Sequence, residues 1–265
     1  MNLGYLKKIL SFPKPRINSV VLDEAKLHIQ EQERYRKYSW DFNSALNKLN
    51  TTLRFLGLEE YREEEDISRH QILFSAISNH HQVDHILEIG TATGESTFLL
   101  SHLFPEAKIL TVDLPETDAE FRNYSGMKGN GEKLSEYRKI RDSNLSGRNI
   151  KFVQYNSFFL PTITGETFDL IWVDGCHFFP EVSWDICNAY HYCNVGGHIL
   201  VDDVLEKGVH KKTDKVSSDP RDMLEHLKDR SGIDIDFFLK RTDRRSLSDR
   251  ATLKYLGVIR KDESI

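Results

Sequence analysis

The sequence is poor in cysteine. Only three of its 265 residues are cysteines, and all three fall between positions 176 and 193. An odd number of cysteines crowded into one segment does not resemble the disulfide framework of a small secreted protein. No two of them form a C-x-x-C pair, which is a common element of structural zinc sites. These absences indicate a reducing compartment, and we expect the protein to be cytoplasmic.

Long apolar runs are also missing. No run approaches the ~18 residues that are needed to cross a bilayer, and residues 1–11 lack the apolar stretch and small-residue cleavage site of a signal peptide. The net charge is −5 and no stripe of lysine and arginine dominates the chain, whereas nucleic-acid-binding proteins usually carry a basic surface. We therefore expect neither a membrane nor a nucleic acid as a partner.

The first quarter of the chain has helical periodicity and no strand-like run. Apolar residues recur at helical spacing over Asp41–Leu58, and the charge-rich stretch Asp23–Lys37 is typical of a solvated helix. The charge run Arg62–Asp66 favours a boundary at that point. We predict a helical segment over residues 1–65 that covers or extends the mouth of an active site, followed by a catalytic domain over residues 66–265.

From Ser68 onward, short apolar strands alternate with helices. Strands separated by helices form a mostly parallel sheet that is covered on both faces. The pattern therefore predicts a doubly wound α/β fold with seven strands. The helix between the fourth and fifth strands is expected to end at Gly196–Gly197. The predicted strands are His85–Ile89, Lys108–Val112, Ile150–Tyr155, Phe168–Val173, His198–Val201, Ile233–Leu239 and Thr252–Ile259.

Polar and mostly acidic residues follow these strands at one edge of the predicted sheet. In open α/β sheets ligands bind outside the carboxyl ends of the strands, so these residues form the candidate site. Crowded carboxylates repel one another unless a cation or the donors of a ligand meet them. The residues at the strand ends are Glu88 and Gly90, Asp113, Asn156 and Ser157, Asp174 to His177, and Asp202 and Asp203.

The first strand leads into a turn with the sequence EIGTATGES, residues 88–96. Gly90 permits a sharp turn, and Gly94 permits close approach of a ligand to the next helix. Ala92 replaces the second glycine of the dinucleotide fingerprint, and the Gly-Lys pair of a P-loop is absent. The turn therefore favours a nucleoside ligand without a pyrophosphate. Asp113 follows at about the ~20-residue spacing of a ribose-binding acid. The alternative is an ordinary βα turn with an acid at a strand end.

The run LEIGTATGES, residues 87–96, resembles motif I of the class I S-adenosylmethionine-dependent methyltransferases. In that family the glycine turn contacts the methionine part of the cofactor, and the acid that ends the second strand holds the ribose. Residues after the third strand lie beside the adenine. The resemblance implies S-adenosylmethionine as the cofactor. The implied contacts are Glu88, Gly90, Thr91, Gly94, Ser96, Asp113, Asn156, Ser157 and Asp174.

A second resemblance rests on FDLIWVDGCH at residues 168–177 and GGHILVDD at residues 196–203. Both runs are similar to small-molecule O-methyltransferases of the macrocin O-methyltransferase type, and more distantly to catechol O-methyltransferases. This resemblance implies methyl transfer to a hydroxyl of a sugar or glycosylated natural product, with His177 as the general base. It also implies a divalent cation, Mg²⁺ or Mn²⁺, on Asp174, Asp202 and Asp203.

The implied chemistry agrees with the residue types. Carboxylates are hard oxygen ligands that suit Mg²⁺ better than zinc. A bound cation lowers the pKa of a hydroxyl beside it, and a histidine can accept the proton. The resemblance covers roughly residues 84–204. It departs from the family at Cys176, where an acid is common, and over the long segment Leu114–Arg148, which we expect to shape the acceptor site.

Several alternatives stay open at this point. Asp202 and Asp203 could cap a turn, and His177 could brace its loop through hydrogen bonds. The basic stretch Lys207–Lys215 is either a solvated loop or a clamp for an anionic acceptor. The chain could also be a metal-independent methyltransferase for another acceptor, or a non-catalytic subunit that binds S-adenosylmethionine. A homo-oligomer is possible.

Overall fold

A seven-stranded sheet lies at the centre of the computed structural model, which describes residues 24–62, 68–124, 129–208, 217–243 and 252–262. The strands are β1 (His85–Ile89), β2 (Lys108–Asp113), β3 (Ile150–Gln154), β4 (Phe168–Val173), β5 (Cys193–Leu205), β6 (Ile235–Asp243) and β7 (Thr252–Arg260). Their order is β3-β2-β1-β4-β5-β7-β6. Only β7 runs antiparallel to its neighbours, β5 and β6. The prediction of a doubly wound, mostly parallel seven-stranded sheet is confirmed.

Helices cover both faces of this sheet, and the predicted N-terminal helical segment is present. No helix in the described ranges is long and apolar enough to span a membrane. The helices are α1 (Glu24–Lys37), α2 (Phe42–Phe55), α3 (His70–His80), α4 (Glu95–Leu103), α5 (Ala119–Tyr124), α6 (Gly131–Asn144), α7 (Leu160–Ile163), α8 (Glu181–Tyr192) and α9 (Asp219–Ser231).

The sheet has two apolar faces because side chains of a strand alternate between its two sides. One face packs with side chains from α1 to α4, and the other packs with side chains from α7, α8 and α9. The first face includes Ile86, Ile109, Leu170, Trp172, Leu200 and Phe238. The second includes Leu87, Leu110, Ile171, Val173, Ile199 and Val201.

The end of α8 differs from the prediction. The helix stops at Tyr192, and β5 begins at Cys193 and contains the Gly196–Gly197 pair. Lys261 Nζ donates hydrogen bonds to the carbonyl oxygens of Tyr190 and Cys193, each at 2.9 Å. A lysine from the end of the chain thus satisfies carbonyls that a glycine cap would otherwise serve.

The described part of the N-terminal segment builds the core of the domain. Trp40 and Leu49 are 2% and 0% exposed and belong to the same cluster as the sheet residues Trp172 and Phe238. This packing couples α1 and α2 to the stability of the sheet. The boundary near residue 65 and the covering role of residues 1–65 stay predictions, since residues 1–23 and 63–67 lie outside the described ranges.

The fold makes stability depend on pH through a buried histidine. His198 is 1% exposed, and its ring lies 4.5 Å from that of His81 and 5.5 Å from that of Trp40. Burial is the main reason that the pKa of His198 is lowered to about 3, and the neighbouring His81 and Arg260 lower it further. The folded chain therefore keeps this ring neutral at pH values where the unfolded chain, with a pKa of ~6.5, is protonated. The contribution of His198 to the free energy of unfolding is therefore complete above a pH of ~6.5, and it falls as the pH drops from there towards 3.

We expect the free energy of unfolding to fall by ~2 kcal/mol more in the wild type than in His198→Leu when the pH is lowered from 7.5 to 5. Urea denaturation at the two pH values measures this difference. Titrating groups that do not contact His198 contribute equally to both proteins, and the variant His81→Leu, measured in the same way, gives the contribution of the neighbouring ring. Equal losses in the two proteins would show that His198 is not held neutral by the fold.

Candidate active site

The turn after β1 is shaped by contact with the loop after β4. Gly90 has φ of +98°, and a Cβ atom there would lie 2.2 Å from the carbonyl oxygen of Asp174 and 2.7 Å from the amide nitrogen of Gly175. The backbones of the two loops therefore touch at this point. Gly90 is required for this close approach as well as for the turn itself, and it places Asp174 directly beside the glycine turn.

We expect Gly90→Ala to lower the free energy of unfolding by at least ~2 kcal/mol, because the new methyl group meets backbone that has no room to yield. Gly57→Ala is the matched control, since Gly57 has φ of +70° and nothing within 4 Å of its Cβ position. That variant should lose roughly 1 kcal/mol from backbone strain alone. Urea denaturation of both measures the clash separately from the strain. Equal losses would contradict the close approach.

Gly94 lies directly before α4 and packs against residues at the end of α6. It has φ of +76°, and a Cβ atom there would lie 2.9 Å from Leu145 Cδ2. Asn144 Nδ2 donates a hydrogen bond to the carbonyl oxygen of Thr93 at 2.8 Å. The long segment Leu114–Arg148 thus contains α5 and α6 and packs its C-terminal end on the glycine turn. That this segment shapes the acceptor site stays a prediction.

Asp113 joins the glycine turn to the end of β2. Its Oδ2 accepts a hydrogen bond from the amide of Ala92 at 2.7 Å, and its Oδ1 accepts one from the amide of Leu114 at 2.7 Å. Burial raises the pKa of Asp113, although these backbone bonds oppose the rise. A carboxylate oxygen can accept more than one hydrogen bond. Each oxygen of Asp113 can therefore accept a further hydrogen bond from a ligand hydroxyl, and this fits the hydroxyls of a ribose.

Glu88 lies inside the domain beneath this turn. It is 0% exposed, and its Oε2 accepts hydrogen bonds from the hydroxyls of Thr97 and Thr111. Burial, only partly offset by these bonds, raises the pKa of Glu88 to about 8. Its Oε1 has no hydrogen-bond partner among the described residues. The Thr111 hydroxyl also bonds to that of Thr91 at 2.6 Å, so these polar side chains brace the turn from within.

The residues after β3 form a short 3₁₀ turn, Ser157–Phe159. Asn156 begins it, and its Oδ1 accepts a hydrogen bond from the amide of Phe158 at 2.9 Å. The indole ring of Trp184 in α8 stacks on Phe158 with ring centroids 4.2 Å apart. The predicted adenine neighbours Asn156 and Ser157 thus lie between β3 and α8, and Ser96 lies in the first turn of α4.

The ends of β4 and β5 bring three ionisable side chains together. Asp174, His177 and Asp202 each offer one ligand atom, and these atoms lie within 4.8 Å of one another. Asp202 Oδ1 is buried and has no hydrogen-bond partner among the described residues. Burial and the charge of Asp202 raise the pKa of Asp174. Two carboxylates held this closely are suited to share a proton or a cation.

His177 lies against the first of these acids. Its Nε2 is 3.5 Å from Asp174 Oδ1, and its side chain is 14% exposed. Burial lowers the pKa of His177, but the hydrogen bond to Asp174 and the neighbouring carboxylate charges outweigh burial and raise it overall. The imidazole is therefore held in a position where it gains a proton readily.

β5 does not end at Val201 as predicted but continues to Leu205. Its register with β7 shifts between Val201 and Val204, and Asp203 has φ of +51°. The two acids therefore lie within an irregularity of the strand. The left-handed conformation of Asp203 allows adjacent residues to turn their carboxylates to the same neighbours.

Those neighbours are two buried lysines. Lys240 Nζ donates to Asp202 Oδ2 at 2.5 Å and to Asp203 Oδ1 at 2.6 Å, and Lys254 Nζ donates to Asp203 Oδ2 at 2.6 Å. Lys240 and Lys254 are 5% and 4% exposed. The structure thus groups Asp202 with Asp174 and His177, and it groups Asp203 with the lysines. This differs from the set of three carboxylates that the sequence implied.

The sequence analysis missed these lysines and a buried acid, Asp185. Asp185 is 2% exposed in α8, and burial raises its pKa to about 6. A Cβ atom on Gly175 would lie 3.0 Å from Asp185 Oδ2. A usable signal was present for Lys254, because a charge inside an apolar strand is rarely buried without a partner. Of the basic stretch Lys207–Lys215, only positions 207 and 208 lie inside the described ranges, and Lys207 pairs with Glu225 at 3.2 Å.

Comparisons with known proteins agree with this architecture. Residues 87–204 match a sequence family described as a methyltransferase domain. None of the curated protein sequences is significantly similar to the chain. The fold is similar to that of the O-methyltransferase TomG from Streptomyces achromogenes, involved in tomaymycin synthesis and solved with S-adenosylmethionine. That match has a TM-score of 0.52 and 18% identity over 87% of this chain and 99% of the other.

An O-methyltransferase from Bacillus cereus, solved with S-adenosylhomocysteine, has a similar fold. Its TM-score is 0.53, with 16% identity over 87% of this chain and 96% of the other. The matched region contains the glycine turn, Asp113, the acid that follows β4 and the two acids within β5. Residues 87–204 are therefore similar to a methyltransferase domain, within a fold that these two O-methyltransferases share.

Proposed function

We propose that the protein transfers the methyl group of S-adenosylmethionine to a hydroxyl of a small molecule. The observation that carries this proposal is the contact between Gly90 and the Asp174 loop. It joins a turn suited to the cofactor to a cluster of carboxylates and histidine suited to activating a hydroxyl. Methyl transfer is an in-line displacement, so holding the acceptor oxygen behind the methyl group supplies much of the rate.

The cofactor side is formed by the glycine turn and Asp113. Asp113 accepts hydrogen bonds from the amides of Ala92 and Leu114, and these bonds hold its carboxylate in place at the end of β2. We assign it the ribose hydroxyls. Asn156 and Ser157 are assigned to the adenine, and the turn from Gly90 to Ser96 is assigned to the methionine part. The pre-formed hydrogen bonds reduce the ordering that cofactor binding requires.

The acceptor side is formed by Asp174, His177 and Asp202. We assign His177 the proton of the acceptor hydroxyl, because the neighbouring Asp174 stabilises the imidazolium that results. Asp174 and Asp202, with an unpartnered oxygen on Asp202, fit one divalent cation such as Mg²⁺ or Mn²⁺. Bound there, the cation would supply positive charge that lowers the pKa of the hydroxyl.

We propose a sugar or glycosylated natural product as the acceptor. An open depression of about 260 Å³ begins at Phe179, two residues after His177, and is lined by Phe179, Asp219, Asp222, Met223 and His226. Phe179 is 66% exposed and is suited to pack on the apolar face of a sugar. The carboxylates of Asp219 and Asp222 are suited to accept hydrogen bonds from its hydroxyls.

Metal-independent transfer is the second candidate, and the lysines favour it. Lys240 already places a positive charge on Asp202 and Asp203. In that case His177 and Asp174 alone remove the proton. The two candidates give opposite results when a chelator is added.

The proposed function is tested by measuring two quantities on the same preparation. Calorimetry should show binding of S-adenosylmethionine and S-adenosylhomocysteine, and isotope transfer should show methylation of hydroxyl-bearing sugars and glycosides. Loss of turnover in excess chelator, with restoration by Mg²⁺ or Mn²⁺, supports the cation. Unchanged turnover supports the second candidate. Failure to bind either form of the cofactor would contradict the proposal as a whole.

A further inference from the structure

We propose that Lys240 is a positioning residue that removes Asp203 from the cation site and leaves Asp202 a single free oxygen. The inference rests on the cation site proposed above. It concerns the chain's own side chains, and the binding of Mn²⁺ tests it independently of methyl transfer. The family resemblance implies three carboxylate ligands, and the structure disagrees at one of them.

The first argument is the contact geometry. The ammonium of Lys240 bridges the two adjacent acids, at 2.5 Å from Asp202 Oδ2 and 2.6 Å from Asp203 Oδ1. The other oxygen of Asp203 accepts a hydrogen bond from Lys254 at 2.6 Å. Both oxygens of Asp203 are therefore engaged by lysine, whereas Asp202 keeps its Oδ1 without a partner. Only Asp202 presents an oxygen to the neighbouring Asp174.

The second argument is charge balance. Asp202 and Asp203 carry two negative charges, and Lys240 and Lys254 supply two positive ones within hydrogen-bond distance. Arg241 adds a third positive charge, with its Nη2 3.8 Å from Asp203 Oδ1. The side chains of the two acids and the two lysines are at most 16% exposed. Buried charges are stable when they are paired in this way. No further cation is needed to neutralise Asp203, and one that approached Asp202 Oδ2 would have to displace the ammonium.

The third argument is where the backbone places the lysine. Lys240 lies near the end of β6, and its carbonyl oxygen accepts a hydrogen bond from the amide of Arg69 at 3.0 Å. The register of β6 with β7 shifts between Leu239 and Arg241, so Lys240 lies at an irregularity of its strand. Its buried ammonium lies between the two acids. In this position the ammonium competes with a divalent cation for the oxygens of Asp202 and Asp203.

The experiment compares Mn²⁺ affinity in purified, chelator-treated protein with S-adenosylhomocysteine bound, using electron paramagnetic resonance of free Mn²⁺. Asp202→Asn and Asp203→Asn are matched variants, since each removes one charge from adjacent residues. We expect Asp202→Asn to weaken Mn²⁺ binding at least ~10-fold more than Asp203→Asn, because only Asp202 is a ligand. Similar losses in both variants would place Asp203 in the ligand set and overturn the proposal.

Lys240→Met and Lys240→Arg form the second comparison. Removing the ammonium frees an oxygen on each acid, so Lys240→Met should bind Mn²⁺ at least ~10-fold more tightly than the wild type. Lys240→Arg keeps the charge and should stay near the wild-type affinity. A lysine with only a structural role would lower stability without raising Mn²⁺ affinity, and that result would overturn the proposal.

The outcomes separate this inference from the proposed function. If the wild type binds no Mn²⁺ and Lys240→Met does, the lysine is the competitor, and methyl transfer is metal-independent. If neither protein binds Mn²⁺, the cation site and this inference both fail, while cofactor binding and turnover still decide the proposed function. Should Lys240→Met fail to fold, the two aspartate variants and Lys240→Arg still decide the question.

Discussion

Asp113→Ala is expected to weaken S-adenosylmethionine binding by roughly 1.5–3 kcal/mol, or about 10- to 150-fold. The variant removes the carboxylate assigned to the ribose hydroxyls. It also removes the acceptor for the amides of Ala92 and Leu114, so the glycine turn loses its anchor on β2. The first loss removes contacts of the bound state, and the second increases the ordering that cofactor binding requires. Titration calorimetry with S-adenosylmethionine and S-adenosylhomocysteine measures the effect.

The control for Asp113→Ala is Asp118→Ala, a few residues further along the same connection. Asp118 is also an acid that accepts a backbone hydrogen bond, from the amide of Glu120 at 2.8 Å, but it is not assigned to the cofactor. Its replacement should leave cofactor affinity near that of the wild type, because the variant removes no group that is assigned to the cofactor. If Asp113→Ala binds the cofactor as tightly as Asp118→Ala does, then Asp113 only braces the turn.

The fold was predictable because its signals are local. Most strands contain a short apolar run, and β1 and β4 have the predicted bounds. The glycine turn was recognisable because its motif is continuous in the sequence, although its contacts with Asp174 and Leu145 could not be read from that motif. The spacing of Asp113 carries similar information, because a strand and a helix of ordinary length separate it from the turn.

The ion pairs at the proposed cation site were not predictable from the same motifs. Asp202 and Asp203 lie in the segment that matches the methyltransferase domain, whereas Lys240 and Lys254 lie outside it. These lysines approach the acids only because β7 inserts between β5 and β6 and the register shifts at Val201. The sequence of two adjacent aspartates indicates neither the order of the strands in the sheet nor the position of a bulge. The sequence therefore indicates a cluster of acids without showing which of them are already paired.

His177→Ala should reduce turnover by ~10²–10⁴-fold, the range typical of a lost general base. The imidazole lies 3.5 Å from Asp174 Oδ1, and replacing it leaves the acceptor hydroxyl without a proton acceptor at that place. Cofactor affinity should not change, because the variant leaves the glycine turn and Asp113 in place. The measurement is single-turnover methyl transfer with saturating cofactor, together with calorimetry of cofactor binding.

His177 also offers a ligand atom to the cluster with Asp174 and Asp202, so its loss must be separated from a loss of metal. A histidine whose nitrogen binds a cation cannot take a proton at that nitrogen. If His177 is the base, His177→Ala keeps Mn²⁺ affinity and added Mn²⁺ does not restore turnover. If it is a ligand, the affinity falls by ~10- to 100-fold and excess Mn²⁺ restores much of the rate. Near-normal turnover in the variant would remove His177 from the mechanism and leave Asp174 as the group that accepts the proton.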